Sequence, residues 1–494
     1  MSGRCARWAA AAGLVTVLAG CAAGPDFSRP APPHVANYAA VPLTATAGTP
    51  GQIGGAVQHV VKGASVSAQW WRQFRSPALD ALEKQALAHN PTLAAARASL
   101  RAAHEATLAG DGSLYPTLAA GLTASREQDP SAALAPVPSN NAYLYSLFTP
   151  QLSVGYSPDV FGLQRRTRES LRAQEQVVRF EAVAAWNSLT TNVAVTALRN
   201  AALTAQVRAT RHIVAMEAHS LKLLRARYKA GDASRGDVAA QQAQLAGDKV
   251  NLALLVKQQA VSRHALAVLV GQFPGQWQGQ PLQLSRWHLP TTLPLSLPSQ
   301  LVAQRPDIRA ARAQWHAASA AVGIAAAERL PQIQLSADVG ATALALSKVF
   351  TSGTGLWGVA ASLTAPLFDG GELKHNERAA KAAYVVAANQ YRATVLDAFR
   401  SVADTLSAIR QDAKALKAAS TAAQSAHTAL QLAQLELAHG AINRLQLLAA
   451  EQAWQQARIS LIQARSQRFA DTAALYQALG GGWQHRRPLT KTSA

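Results

Sequence analysis

The sequence predicts a mainly α-helical chain with a membrane β-barrel, assembled from an internally duplicated unit. Three observations predict this fold class: two long windows without proline, a repeat of ordered motifs, and short segments in which apolar and polar residues alternate, most weakly in 118–125. Each unit is predicted to hold a strand pair, a long helix, a tight turn and a second helix.

The two long helices are predicted from the placement of proline and glycine. Proline is absent from residues 159–273 and 367–487, and inside these windows glycine is absent from 163–230 and 372–439. Proline and glycine are the residues that most disfavour a helix interior. A helix of about 65–70 residues is roughly 100 Å long, which is typical of coiled coils or helical tubes.

In each window, the first glycine after the long glycine-free stretch predicts a turn between antiparallel helices. Gly231 is followed by Asp232 and Ser234, and Gly440 is followed by Asn443. Glycine readily adopts the left-handed conformation that ends a helix, and Ser or Asn caps the next one. A second helix of about 40 residues is therefore expected after each turn.

Motifs recur in the same order in both halves of the chain. Residues 90–97 match 305–312 at an offset of 215, whereas Gly231 matches Gly440 at an offset of 209. Two copies of one unit joined by a proline-rich linker explain this order. The predicted segments are a signal peptide (1–20), a lipidated N-terminal linker (21–76), the first repeat (77–271), a linker (272–298), the second repeat (299–480) and a basic C-terminal tail (481–494).

Two strands are predicted before each long helix, because apolar and polar residues alternate there. The segments are 118–125, 152–157, 332–339 and 357–365. Soluble hairpins with one wet face would show the same alternation, but a length of about ten to twelve residues suits a tilted membrane strand. Four strands cannot close a barrel in lipid, so three chains sharing twelve strands are expected.

The N-terminus predicts an exported lipoprotein. Arg4 and Arg7 precede a short apolar run that ends in Leu18-Ala19-Gly20-Cys21, which resembles a bacterial lipobox. By that resemblance Cys21 carries a covalent lipid, and Ala22 at the next position implies sorting to the outer membrane. The mature chain then has no other cysteine. The formal net charge of +20 is expected to meet anionic lipid or a water-filled lumen, because export excludes nucleic acid as a partner.

An ordered set of motifs follows Cys21 along the chain. They are Gly24-Pro25-Asp26-Phe27-Ser28-Arg29-Pro30, Trp70-Trp71-Arg72-Gln73-Phe74, Tyr156-Ser157-Pro158-Asp159-Val160-Phe161-Gly162, residues 227–237 and Arg305-Pro306-Asp307-Ile308-Arg309. Together with Cys21, this set resembles the outer membrane factor (TolC-like) family, in particular its NodT-type lipoprotein branch. The resemblance extends from about residue 15 to 480.

The resemblance implies a homotrimer with a twelve-stranded barrel in the outer membrane and a twelve-helix tunnel in the periplasm. It implies that the chain is the passive exit duct of a tripartite efflux pump of the resistance-nodulation-division type, working with a periplasmic adaptor and an inner-membrane transporter. The exported compounds would be drugs, metals or other small toxic molecules. Neither the cargo nor the particular adaptor can be read from the sequence.

The resemblance also implies where the periplasmic end lies. The turns at Gly231 and Gly440 would form its tip, and the helix after the second turn would carry the gate. Leu445 matches the apolar constriction of related channels, but Ala449 and Gln452 replace its acidic and basic residues. Neighbouring Arg444 and Glu451 are the substitutes that the sequence offers for this charged ring.

The remaining residue patterns are weaker evidence for a function. His212, Met216 and His219 share one helix face and are weak candidates for a soft metal, so neither a metal site nor a soluble cofactor is expected. No catalytic motif is present, and an enzyme is not expected. Two alternative functions share many of these features: the exit duct of a type I secretion system, and a purely structural coiled-coil lipoprotein.

Overall fold

The computed structural model describes residues 22–33, 35–128, 130 and 144–485. Within them the chain forms eight α-helices and six β-strands. The helices are α1 (Pro77–His89), α2 (Pro91–Gly112), α3 (Leu163–Lys229), α4 (Arg235–Leu269), α5 (Pro298–Gln304), α6 (Pro306–Ala327), α7 (Glu372–Ala438) and α8 (Arg444–Ala478). The strands are β1 (His59–Lys62), β2 (Thr117–Gln128), β3 (Leu144–Tyr156), β4 (Thr292–Leu295), β5 (Gln332–Ala341) and β6 (Gly355–Thr364).

The predicted duplication is confirmed helix by helix. The long helices α3 and α7 both contain 67 residues, and the helices that follow their turns, α4 and α8, both contain 35. The second helices are thus slightly shorter than the 40 residues expected. The preceding helices α2 and α6 both contain 22 residues. Within the described residues, none of the helices is long and apolar enough to cross a membrane.

The chain divides into two compact units. One, here called the strand unit, comprises residues 22–30, Arg101–Val177 and Ala311–Tyr391 of the described chain; the other, the helix unit, comprises Ala31–Leu100, Val178–Ala310 and residues 392–485. The long helices contribute residues to both units because each unit is assembled from both repeats.

The strand unit holds a four-stranded antiparallel sheet with the order β2-β3-β5-β6. All four strands were predicted from alternation, and they contain 12, 13, 10 and 10 residues. Strands β3 and β5 come from different repeats, and their pairing joins the two copies in one sheet.

The helix unit contains a core to which the N-terminal segment contributes. A short 3-10 helix, Trp70–Phe74, buries Trp70, Trp71 and Phe74 completely or almost so. Trp70 stacks on Tyr476 of α8 with ring centroids 5.2 Å apart. Strand β1 pairs in parallel with β4 from the segment between the repeats. Most of the first predicted linker, from residue 31 onward, and the second predicted linker, 272–298, are therefore packed parts of this unit.

Candidate functional site

The two faces of the four-stranded sheet differ sharply in polarity. Paired residues on neighbouring strands share a face, and the register aligns Trp357 with Val339 and Val339 with Leu152. The same face carries Leu118, Leu122, Val154, Leu335, Val359 and Leu363, and all these side chains are exposed, Trp357 by 79%. Large apolar side chains facing outward along a whole sheet indicate a surface that meets lipid or another protein.

The opposite face of the sheet carries mostly polar or small residues. Asp338 aligns there with Ser153 and with Gly358, and Ser362 aligns with Gln334. The face continues through Thr117, Ala119, Thr123, Ser125 and Glu127 of β2. One mainly apolar and one mainly polar face is the pattern of a strand between lipid and water.

The sheet is open at both edges within the described residues, because β2 and β6 each have one neighbour. The backbone N–H and C=O groups along an open edge are available for pairing with another strand. The sheet contains an even number of antiparallel strands, so β6 of one copy and β2 of the next would also meet antiparallel. A ring of copies related by rotation can thus close without a mismatched strand.

Both turns between the long helices have the predicted geometry. Gly231 and Gly440 adopt left-handed conformations, with φ of 82° and 74°. Ser234 forms a capping box with Asp237, in which the Ser234 Oγ accepts the Asp237 N–H at 3.0 Å. Asn443 caps α8 in the same way, with its Oδ1 accepting the Gln446 N–H at 3.0 Å. Next to the first cap, Asp232 pairs with Arg227 at 2.8 Å.

The residues proposed for a gate lie in the first turns of α8, but they do not share one environment. Ala449 and Gln452 are exposed, and Gln452 hydrogen-bonds Gln244 of α4. Arg444 is half-buried and donates to the Gln241 Oε1 of α4 at 3.4 Å. Glu451 is buried within the chain, so it is a poor candidate for a carboxylate that lines an aperture. The side chain of Leu445 lies outside the described part of the structure.

Three buried carboxylates lie close together near these turns, where α3, α4 and α8 pack against one another. Glu217 of α3, Asp248 of α4 and Glu451 of α8 are all less than a tenth exposed. The Glu217 carboxylate accepts hydrogen bonds from Gln241 at 3.3 Å and from Gln455 at 3.2 Å. The sequence analysis did not single out Glu217 or Asp248, because acids that meet across three helices leave no local pattern.

The pKa values of this acidic cluster are shifted upward. Burial raises the pKa of Glu217 to about 7; the charges of Asp248 and Glu451 add to the shift, whereas the Gln455 hydrogen bond and the Arg444 charge oppose it. Burial likewise raises the pKa of Glu451, against the opposing charge of Arg444. Burial raises that of Asp248 against a hydrogen bond from Gln244. Ionising all three carboxylates is therefore costly.

The structure gives no second observation in favour of the weak metal candidates. His212 and His219 are exposed and Met216 is half-buried. Across the described ranges, no group of three or more His, Cys, Asp and Glu side chains could hold a metal ion.

Comparison with known proteins identifies the family. The sequence model of the family described as outer membrane efflux protein matches residues 82–272 and 297–481, one stretch in each repeat and together more than half of the chain. The chain belongs to the outer membrane efflux protein family. It is a protein of the outer membrane, and its family is one of transport proteins.

The relatives of this outer membrane efflux protein match it over almost their whole length. A pyoverdine export outer membrane protein of Pseudomonas aeruginosa is 31% identical over 433 residues, covering 86% of this chain and 89% of the relative.

Two solved structures share the fold. The outer-membrane channel OprN matches with a TM-score of 0.82 at 26% identity, covering 94% of this chain and all of that one. The open state of the MtrE outer membrane channel of Neisseria gonorrhoeae matches with a TM-score of 0.80 at 26% identity, over 94% of this chain and 99% of that one.

Proposed function

We propose that the chain is the exit duct of a tripartite efflux pump, a passive outer-membrane channel for small toxic compounds. The observation that carries the proposal is the four-stranded sheet with one apolar face, one polar face and two open edges. In a lipid bilayer the unpaired backbone groups of β2 and β6 would be very unfavourable. Closure by neighbouring copies removes that cost and leaves the polar face around a water-filled lumen.

Three copies are the number that the sheet favours. Eight strands form a common small barrel with an interior filled by side chains, whereas wider barrels are needed for an aqueous passage. Three copies give twelve strands, and the long hairpins α3–α4 and α7–α8 of each copy give twelve helical segments for a periplasmic tunnel. The four hairpin helices of each chain are long and, in the case of α3 and α7, equal in length, which suits such a tube.

The proposed barrel and tunnel also indicate where partner proteins would bind. We infer that the turns at Gly231 and Gly440 form the periplasmic tip, where a periplasmic adaptor and an inner-membrane transporter of the resistance-nodulation-division type would engage the duct. The exported cargo is left open, since pyoverdine export is the role of one relative. We assign the chain no catalytic activity and no soluble cofactor.

Conductance tests the proposed function most simply. The purified protein should insert into planar lipid bilayers as a channel that rests mostly closed. Failure of a correctly assembled protein to conduct, in the wild type and in every variant, would refute a duct.

The gate prediction concerns Leu445, placed five residues after Gly440 at the start of α8. If three Leu445 side chains narrow the aperture, Leu445→Ala should raise the conductance and open the channel more often, because no neighbouring core refills a narrow ring. Exposed Leu435, near the end of α7, supplies the matched control Leu435→Ala. An unchanged conductance together with a less heat-stable trimer would assign Leu445 to packing between helices.

A second prediction concerns Cys21, which lies outside the described residues. Mass spectrometry of the N-terminal peptide should find acyl chains on Cys21, because the lipobox places the cleavage site directly before it. An unmodified mature N-terminus at another residue would exclude lipidation. Each buried methylene contributes about 0.8 kcal/mol to membrane binding, but the barrel itself spans the bilayer. Cys21→Ala should therefore delay delivery to the membrane and leave the conductance of assembled channels unchanged.

A further inference from the structure

The segment after Cys21 is held firmly against the strand unit. The Ala23 N–H donates to the Phe161 C=O at 3.0 Å. The Arg166 guanidinium donates to the Ala23 C=O at 3.0 Å, to the Gly24 C=O at 3.2 Å and to the Asp26 carboxylate at 2.8 Å. The start of the mature chain is therefore a fixed part of this unit in the residues that are described.

Aromatic contacts fix the next residues of this segment. The Phe27 ring stacks on His316 of α6 with centroids 4.5 Å apart, and meets Trp315 edge-on at 5.5 Å. Arg29 follows two residues later, close enough to Arg312 of α6 for its charge to lower the pKa of the Arg312 guanidinium. The structure thereby brings a cation from the N-terminal segment next to a cation of the helix, Arg312.

Arg29 and Arg312 form a cationic pair without an acid between them. Arg312 is half-buried; burial lowers the pKa of its guanidinium, and the positive charge of Arg29 lowers it further. The carboxylates that approach this region are already engaged: Asp26 and Glu169 bind Arg166, and Glu169 also pairs with His316 at 2.7 Å. Among the described residues neither arginine of the pair has a salt-bridge partner.

A third donor lies one helical turn from Arg312. The indole N–H of Trp315 is buried and has no hydrogen-bond acceptor in the described part of the chain. The Trp315 ring is fixed between Tyr391 and Tyr384, with centroids 5.6 and 5.8 Å away. Residues three apart on a helix share a face, so the indole and the Arg312 guanidinium lie on the same side of α6. A buried donor without an acceptor destabilises the fold unless a ligand supplies an acceptor.

We propose that Arg29, Arg312 and Trp315 bind a phosphate group. Two guanidiniums match the oxygens of a phosphate in a bidentate manner, and an indole N–H can donate to a further oxygen. The inference rests on the proposed function for its preferred source: Arg29 follows Cys21, the proposed lipid attachment site, by eight residues, within about 30 Å of extended chain. The phosphate of a membrane phospholipid is therefore the favoured ligand, and free phosphate shares the same chemistry.

Native mass spectrometry of the full trimer, released from detergent with phosphatidylglycerol or with neutral diacylglycerol, tests the site. We expect retention of phosphatidylglycerol only, with apparent affinity about tenfold lower for Arg29→Gln and for Arg312→Gln. Trp315→Phe keeps the ring, removes the donor and should weaken binding about threefold. Arg378→Gln, an exposed arginine of α7 in the same unit, is the matched control and should bind as the wild type does.

An experiment with inorganic phosphate distinguishes free phosphate from the phosphate of a phospholipid as the ligand. The thermal stability of the trimer is measured in phosphate and in chloride at constant ionic strength. Stabilisation by phosphate alone, lost in Arg312→Gln, would support the site with free phosphate as its ligand. Equal binding of both probes by the wild type and by Arg29→Gln, Arg312→Gln and Trp315→Phe would overturn the proposal. The proposal would also be overturned if Arg312→Gln lost the trimer and neither probe restored it. Arg312 would then pair with a carboxylate of a neighbouring copy.

The conductance of the same preparations keeps this inference separate from the proposed function. A trimer that conducts but shows no arginine-dependent binding refutes the phosphate site and leaves the duct intact. A protein that neither trimerises nor conducts refutes the duct itself.

Discussion

Truncating Trp70 to alanine is expected to destabilise the helix unit by about 3–5 kcal/mol, the usual cost of removing a fully buried large aromatic side chain. Trp70 is completely buried and lies within 6.2 Å, between ring centroids, of Trp71, Phe74 and Tyr476. The neighbouring Tyr476 hydroxyl donates to Gln73 at 2.6 Å, which ties the same segment to α8. These three neighbours are rigid aromatic rings, which refill a cavity poorly.

The Trp70 effect can be measured as the thermal midpoint of the detergent-solubilised protein and as protease sensitivity of residues 35–76. Trp70→Ala should lower the midpoint and expose this segment to cleavage. Trp70→Phe, which retains an aromatic ring against Tyr476, is the matched control. Its thermal midpoint should fall much less than that of Trp70→Ala. A segment that is cleaved equally in all three proteins, with an unchanged midpoint, would mean that residues 35–76 are only a tether.

The second large effect is expected from pH acting on Glu217. Its pKa is about 7 in the folded chain, against 4.5 as the ordinary value. The folded state therefore binds this proton more tightly than the unfolded state does. Stability from this group is complete below about pH 4.5, falls as the pH rises through 7, and is constant above that. The difference amounts to about 3 kcal/mol in favour of acid conditions.

Ionised Glu217 faces Asp248 and Glu451, with Arg444 as the opposing charge. The loss of stability at high pH should therefore be local to the packing of α3, α4 and α8. Hydrogen exchange of the backbone amides around Glu217 and Gln241 should show more frequent opening at pH 8 than at pH 5, after correction for the intrinsic exchange rate. Glu217→Gln should abolish most of this difference by protecting the amides at pH 8.

The control variant for Glu217→Gln is Glu436→Gln, because Glu436 is an exposed acid near the end of α7. This variant should retain the pH dependence of the wild type. If Glu217→Gln instead exchanges faster than the wild type at pH 8, where the wild-type carboxylate is ionised, the charged form stabilises the packing and burial does not make ionisation of Glu217 unfavourable.

The long elements of the fold were predictable from the sequence because their signals are local and repeated. The absence of proline and glycine bounds α3 and α7 to within a residue of their observed ends, since these two residues are the ones a helix interior excludes. Gly231 and Gly440 were identified as turns because the left-handed conformation there requires glycine. Alternation located all four strands of the large sheet, whose length lets a period of two stand out.

The parts that could not be predicted depend on contacts between residues far apart in the chain. Strands β1 and β4 have four residues each, too few to show a period, and their pairing joins His59 to Thr292 across more than two hundred residues. The segments that hold them were consequently taken as linkers. The pairing of β3 with β5, and the convergence of Glu217, Asp248 and Glu451, likewise depend on tertiary packing rather than on local pattern.

The central claim is that the four strands of each chain close a barrel only by joining other copies. Cryo-electron microscopy of the detergent-solubilised or nanodisc-embedded protein tests it directly, supported by native mass spectrometry for the number of chains. The account predicts particles with threefold symmetry, twelve strands in the membrane section, and β6 of each copy paired antiparallel with β2 of the next. A stable monomer in mild detergent, with the four-stranded sheet intact and both edges unpaired, would contradict it.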